Sequence, residues 1–243
     1  VNDRGWRKLG PDPALRAWAE AALPVARQEI AASPEPWRCG GTWFVGVDAL
    51  PNAADGSVGA CAFPWQALPV APRSLHRAQL SVIRPGYPQP SEEESAAAFA
   101  FRQKRAAAHL DGLLPIGPDR RRMIREPHAW ILGVPLTSVR AAPLVVWEGS
   151  HRIMAEALRQ ALRPHPPESW ADIDITDAYQ AARAEVFRTC ARVELPVVPG
   201  EASLLHRLTV HGVASWSGTE REDRIIAYFR PMLASVAEWI AQP

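Results

Sequence analysis

The spacing of apolar positions changes several times along the chain, and each change marks an element. Residues 13–32, PALRAWAEAALPVARQEIAA, carry Leu15, Trp18, Ala22, Val25 and Ile30 at roughly helical intervals, which predicts an amphipathic helix with a kink or break at Pro24. Trp43–Val47 is a short apolar run between glycines and a turn-rich segment, and reads as a strand. Ala78 to Ile83 alternates apolar with polar residues until Pro85-Gly86, a second strand. Residues 91–108 predict a helix capped by Ser91, with glutamates in its first turn and basic residues late, as the helix dipole favours.

A basic loop, PDRRRMIREPH (118–128), follows, and then two strand candidates, AWILGVPL (129–136) and APLVVWEGSH (142–151). Residues 152–191 predict helix in two pieces divided by RPHPPES. The last third is the most strand-like. It has two β-rich runs separated by Pro199-Gly200, then DRIIAYFRP (223–231) and a short closing helix, SVAEWIAQ.

Composition agrees with many short elements, since 24 prolines among 243 residues disfavour a helical bundle. No repeat or flexible linker divides the chain, so residues 1–243 are read as one domain. The expected class is mainly β with flanking helices, a sandwich or jelly roll. Hydrophobic residues at 47% suffice for a substantial core. Lys and Arg (27) nearly balance Asp and Glu (26), which excludes a whole-chain electrostatic footprint for nucleic acid or anionic membrane. No apolar run is long enough to span a bilayer, and the first residues lack the layout of a secretory signal. Three scattered cysteines without a CxxC pair disfavour a disulfide framework or thiolate zinc site, and fit a reducing cytoplasm.

Candidate chemistry centres on AAAHLDGLL (106–114). On extended backbone, residues two apart share a face, so His109 and Asp111 can converge on one ion. Taken alone, the pair reads equally as a hydrogen-bonded turn. A third ligand must come from the other histidines. His206 and His211 share LLHRLTVHGVA but lie an odd number of positions apart, so an unbroken strand points them to opposite faces. His211 is preferred because Gly212 frees the backbone and permits close approach of a co-substrate. Two histidines and a carboxylate make the facial triad of non-haem iron(II) oxygenases. A 2-oxo acid co-substrate then needs a cation for its far carboxylate, and TEREDRIIAYFRP supplies Arg221, Arg224 and Arg230.

In order, HLD (109–111), VVWEGSH (145–151), PGEASLLHRLTVHG (199–212) and REDRIIAYFRP (221–231) resemble the phytanoyl-CoA dioxygenase-like family of Fe(II)/2-oxoglutarate-dependent oxygenases. The resemblance covers roughly the C-terminal two thirds of the chain. It implies a double-stranded β-helix, a jelly roll or cupin-like barrel, with Fe(II) held by His109, Asp111 and His211. It also implies that Arg224, or failing it Arg221, binds the carboxylate of the co-substrate 2-oxoglutarate. Trp130 is the expected aromatic of that pocket, and Ser81 or Tyr87 is expected to face it. The activity implied is O2-dependent hydroxylation of a small-molecule substrate with release of succinate and CO2. Asp111 occupies the ligand position that halogenases of this class leave vacant. Two alternatives are a cupin-like metalloenzyme that does not use 2-oxoglutarate and an inactive binding protein on the same barrel. His206, His151 and His128 read as supporting or structural residues. The cluster Arg120, Arg121, Arg122 and Arg125 reads as a solvated loop or as a mouth for an anionic substrate.

Overall fold

The structure is a computed structural model and describes residues 3–92 and 94–241. The strands in chain order are β1 (Trp6–Leu9), β2 (Trp43–Leu50), β3 (Ala78–Ile83), β4 (Leu113–Ile116), β5 (Arg121–Ile124), β6 (Trp130–Pro135), β7 (Leu144–Trp147), β8 (Arg192–Leu195), β9 (Ala202–His206), β10 (His211–Val213) and β11 (Arg224–Phe229). The helices are α1 (Pro13–Ala32), α2 (Ala96–Lys104), α3 (Ser150–Leu162), α4 (Thr176–Thr189) and α5 (Val236–Ile240). Six strands form one antiparallel sheet in the order β1-β9-β6-β11-β3-β2, and three form a second in the order β10-β7-β8. β4 and β5 make a separate hairpin.

Period-two alternation decides which residues enter the space between the sheets. Leu80 and Val82 of β3, Leu132 and Val134 of β6, and Ile225, Ala227 and Phe229 of β11 face outward, into a core closed by Trp18 of α1. The complementary residues face the barrel interior, among them Ile131, Leu144, Val146 and Leu205. Behind the small sheet, Val145 and Trp147 pack on Met154, Leu158, Tyr179 and Val186 of α3 and α4.

α1 begins where expected, with Asp12 accepting from the Ala14 and Leu15 amides at 2.8 and 3.1 Å. It runs unbroken through Pro24. The proline is exposed and so is Glu20, whose carbonyl loses its helical partner and can meet water instead. α2 is shorter than the predicted 91–108 and is capped by Ser95, which accepts from the Ala98 amide. The basic segment is not a loop throughout. Arg121–Ile124 pairs with Leu113–Ile116, while Arg121 and Arg125 are neutralised by Asp174 and Asp172.

The segment holding His206 and His211 is also broken. β9 ends at His206 and β10 begins at His211, in the other sheet. His206 is buried against His151, with ring centroids 4.9 Å apart. Its Nδ1 accepts the Leu208 amide at 3.1 Å, so the ring is neutral with Nε2 protonated. Burial, then the charge of Arg207, pushes His206 down to about 3. Because the folded value lies below the unfolded one, the unfolded chain takes up protons first as pH falls. This contribution is complete above about pH 6.5 and lost progressively below it, reaching about 2 kcal/mol at pH 5. The urea midpoint is therefore expected to fall between pH 7 and pH 5, with a shallower fall in His206→Gln. Equal slopes in the two proteins would contradict the assignment.

Candidate metal centre

Two distant segments meet through a single backbone pair. The His109 amide donates to the His211 carbonyl at 2.8 Å, and the His211 amide to the His109 carbonyl at 3.1 Å. This exchange sets the rings side by side, centroids 4.6 Å apart. Gly212 allows it, but not by admitting a co-substrate as expected. A Cβ at position 212 would lie 2.1 Å from the Ala106 carbonyl oxygen, so the space is taken by the chain's own backbone.

Both rings are oriented alike. His109 Nδ1 donates to the Ala107 carbonyl at 3.1 Å, and His211 Nδ1 donates to the Thr209 carbonyl at 2.9 Å. A carbonyl only accepts, so each Nδ1 carries the proton and each Nε2 offers a lone pair. This is the outer-shell arrangement that fixes metal-binding histidines. His109 Nε2 lies 3.1 Å from Asp111 Oδ1, and His211 Nε2 lies 3.8 Å from Asp111 Oδ2. The three ligand atoms all lie within 4.8 Å of one another. Adjacent ligands of an octahedral ion with bonds near 2.1 Å are about 3 Å apart, so the set fits such an ion with small shifts.

Electrostatics favour the binding forms of His211 and Asp111, while the Asp111 carboxylate favours a proton on His109 when no ion is bound. Burial pushes His211 down to about 4, so it is neutral at physiological pH. Burial alone would raise Asp111, but the charge of Arg230 holds it well below the usual carboxylate range. His109 is raised: burial opposes protonation, but the Asp111 hydrogen bond and charge outweigh it. Arg230 Nη1 donates to Asp111 Oδ2 at 3.0 Å, and its Nη2 donates to Gln79 Oε1. One carboxylate oxygen is thereby engaged by protein, leaving Oδ1 beside His109 for an ion.

A cavity of about 230 Å³ opens from these ligands into the barrel, lined farther in by Trp43, Val45, Ser81, Leu144 and Val213. Arg224 stands on the inward row of β11, opposite Ile83, and is 2% exposed. Its Nη1 has no hydrogen-bond partner, and no carboxylate of the described residues pairs with it. The Trp43 Nε1 donor in the cavity wall is also buried and unpartnered. Tyr87 packs edge-on against Trp43 with centroids 6.3 Å apart, and burial pushes its phenol up to about 12, so it remains a neutral donor.

The structure therefore brings His109, Asp111, His211 and Ser81 to one cavity, while Arg224 stands on the inward row of β11 and Tyr87 packs against Trp43 of the cavity wall, neither of them lining it. It does not bring Trp130 or Arg221 there. The Trp130 ring lies on the outer face of β6 against Trp65, centroids 6.4 Å apart, and the inward position falls to Ile131. Arg221 is exposed in the loop before β11. Arg230, Gln79, Trp43 and Arg38 line the cavity without having been singled out for that place. Strand parity holds the missed signal, since positions 224, 226, 228 and 230 share one face and 79, 81 and 83 another.

No protein-family model and no curated relative matches this sequence. Solved structures do. SnoK, a non-heme alpha ketoglutarate dependent carbocyclase from nogalamycin biosynthesis, is 14% identical, over 95% of this chain and 80% of that one, with a TM-score of 0.51. EctD from S. alaskensis with bound Fe is 16% identical over 94% and 72% of the two chains, TM-score 0.48. AviO1 from Streptomyces viridochromogenes Tue57 is 16% identical over 95% and 91%, TM-score 0.46. The likeness to SnoK establishes the fold, which is the mainly β barrel with flanking helices that the motif order implied. Among the described residues no helix is long and apolar enough to cross a membrane.

Proposed function

We propose that residues 1–243 form one Fe(II)- and 2-oxoglutarate-dependent oxygenase domain that hydroxylates a small-molecule substrate in the cytoplasm. The observation that carries this reading is the pairing of two features in one barrel. A His109-Asp111-His211 set with both Nδ1 atoms tied to backbone carbonyls lines the cavity, and Arg224, a buried guanidinium without a counter-ion, stands on the inward row of β11. A desolvated, unpaired charge is costly, and an anionic co-substrate is what removes that cost. A cupin-like enzyme that does not use 2-oxoglutarate, or an inactive barrel, leaves Arg224 without a role.

His109, Asp111 and His211 would hold the iron, which with oxoglutarate supplies O2 activation coupled to release of succinate and CO2. The remaining work belongs to the chain. Arg224 would bind the far carboxylate bidentately, with the Trp43 indole N–H, Ser81 and Tyr87 as neutral donors nearby. Arg230 and Gln79 fix the Asp111 carboxylate so that one oxygen faces the metal. Ile131, Leu144 and Val213 keep the cavity wall apolar and limit water.

The test is spectroscopic. Anaerobic protein given Fe(II) and 2-oxoglutarate is expected to develop the weak visible charge-transfer band of the chelate, and Asp111→Ala and His211→Ala are expected to abolish it. No band in the wild type, or a band that survives in both variants, refutes the reading.

A further inference from the structure

A second cavity, about 420 Å³, lies on the other side of the 107–114 segment and meets the first at His109, Asp111 and Arg230. His109, which lines both cavities, has a side chain that is 50% exposed. The walls of the second cavity carry Arg122, Arg183 and Glu126, with Leu113, Leu114 and Tyr179 between them.

The charges in this cavity do not balance locally. Asp111 is taken by Arg230 at 3.0 Å, and Glu126 lies 3.5 Å from His128. Arg121 and Arg125, beside Arg122, are paired with Asp174 and Asp172. Arg122 and Arg183 have no carboxylate of the described residues within ion-pair distance. Arg122 reaches only the Leu113 carbonyl, at 3.4 Å. Arg183 is held by aromatic rings, its guanidinium carbon 5.3 Å from the centroid of Phe187, 5.8 Å from Phe101 and 6.0 Å from Tyr179. Its Nε is buried without a partner. Rings hold a guanidinium in place without neutralising it, which leaves a preorganised fork for an oxyanion. Phe101 is 51% exposed beside it, an apolar surface next to the charge.

We infer that this outer cavity receives the substrate, and that the substrate is an amphiphilic oxyanion, a carboxylate or a phosphate ester. Arg183 and Arg122 grip its charged end while its apolar part runs along Leu113 and Leu114 toward His109. The inference rests on the oxygenase reading for the word substrate, but the anion site can fail independently of it. Of the basic cluster read from sequence, only Arg122 takes part; its neighbours Arg121 and Arg125 are paired to acidic residues.

The experiment uses the anaerobic protein loaded with Fe(II) and saturating 2-oxoglutarate, so that the Arg224 end is filled. Hexanoate, hexyl phosphate and the neutral hexanamide are titrated in by calorimetry. At least one anion is expected to bind ten-fold or more tightly than the amide, and to lose that advantage in Arg183→Gln and Arg122→Gln. The preferred anion identifies the group recognised. Amide binding equal to that of both anions, or an anion preference retained in both variants, overturns the inference. An absent chelate band in the wild type instead overturns the oxygenase reading, and the same titration on metal-free protein then decides the anion site alone.

Discussion

Arg224→Leu is expected to make the metal-free protein more stable and at the same time unable to hold 2-oxoglutarate. Arg224 is 2% exposed and lacks a counter-ion, so the folded protein bears the desolvation of a guanidinium with little in return. An apolar side chain removes that cost, although leucine is shorter, and replacing buried ionic groups by apolar residues of similar volume stabilises by about 1–4 kcal/mol, which sets the upper range here. The same change takes away the charged partner of the far carboxylate. Losing one side of a buried, hydrogen-bonded charge pair costs about 2–5 kcal/mol, so oxoglutarate affinity should fall on the order of 100-fold or more. Urea denaturation of the metal-free protein and anaerobic titration of the chelate band read the two effects separately. Arg224→Lys keeps a charge but not the fork, and should fall between wild type and leucine in affinity. Loss of stability with unaltered oxoglutarate binding would make Arg224 an architectural residue.

Gly212→Ala is expected to be the most damaging single-methyl change near the site. The added carbon would stand 2.1 Å from the Ala106 carbonyl oxygen, 3.0 Å from its carbon and 3.1 Å from the Ala108 Cα. All three atoms are backbone, so no side chain can rotate away. The segment carrying 106–109 must move, although that carbonyl accepts the Val213 amide at 2.9 Å and His109 pairs with His211 just beyond. Overpacking of this kind costs about 3 kcal/mol or somewhat more. Displacing His109 from His211 also separates two of the three ligand atoms, so Co(II) affinity should fall along with the melting temperature. A variant that binds Co(II) like the wild type would show that the backbone pair does not set the ligand geometry.

Much of this arrangement is legible in the sequence where local period decides it. Trp18 and Ala22 face the sheet from α1 as their spacing requires, and alternation along β3 sends Ser81 inward and Leu80 outward. The sequence also separates His206 from His211, although the cause differs from strand parity. The chain turns after His206 and enters the other sheet, which parity alone does not reveal.

What stayed illegible depends on distant partners. WRKL in β1 carries no strand alternation and gains its strand form by pairing with β9, and RRMI reads as a basic loop until Asp172 and Asp174 neutralise its flanks. The family resemblance puts Trp130 in the pocket as its aromatic, yet its place on β6 gives the inward side to Ile131. Arg230 offered no local sign of its role, because Asp111 and Gln79 reach it only in the folded barrel.

The ion pair between Arg230 and Asp111 joins positions 119 residues apart, and His109 finds His211 across a comparable stretch. Contacts of such long range form late, after the entropy of closing the intervening chain has been met. While the polypeptide is being made, His109 and Asp111 emerge long before His211, and two ligands grip a metal poorly. If these three residues hold the iron as proposed, a chain without β10 and β11 would lack His211 and Arg230 and would bind no iron at this site.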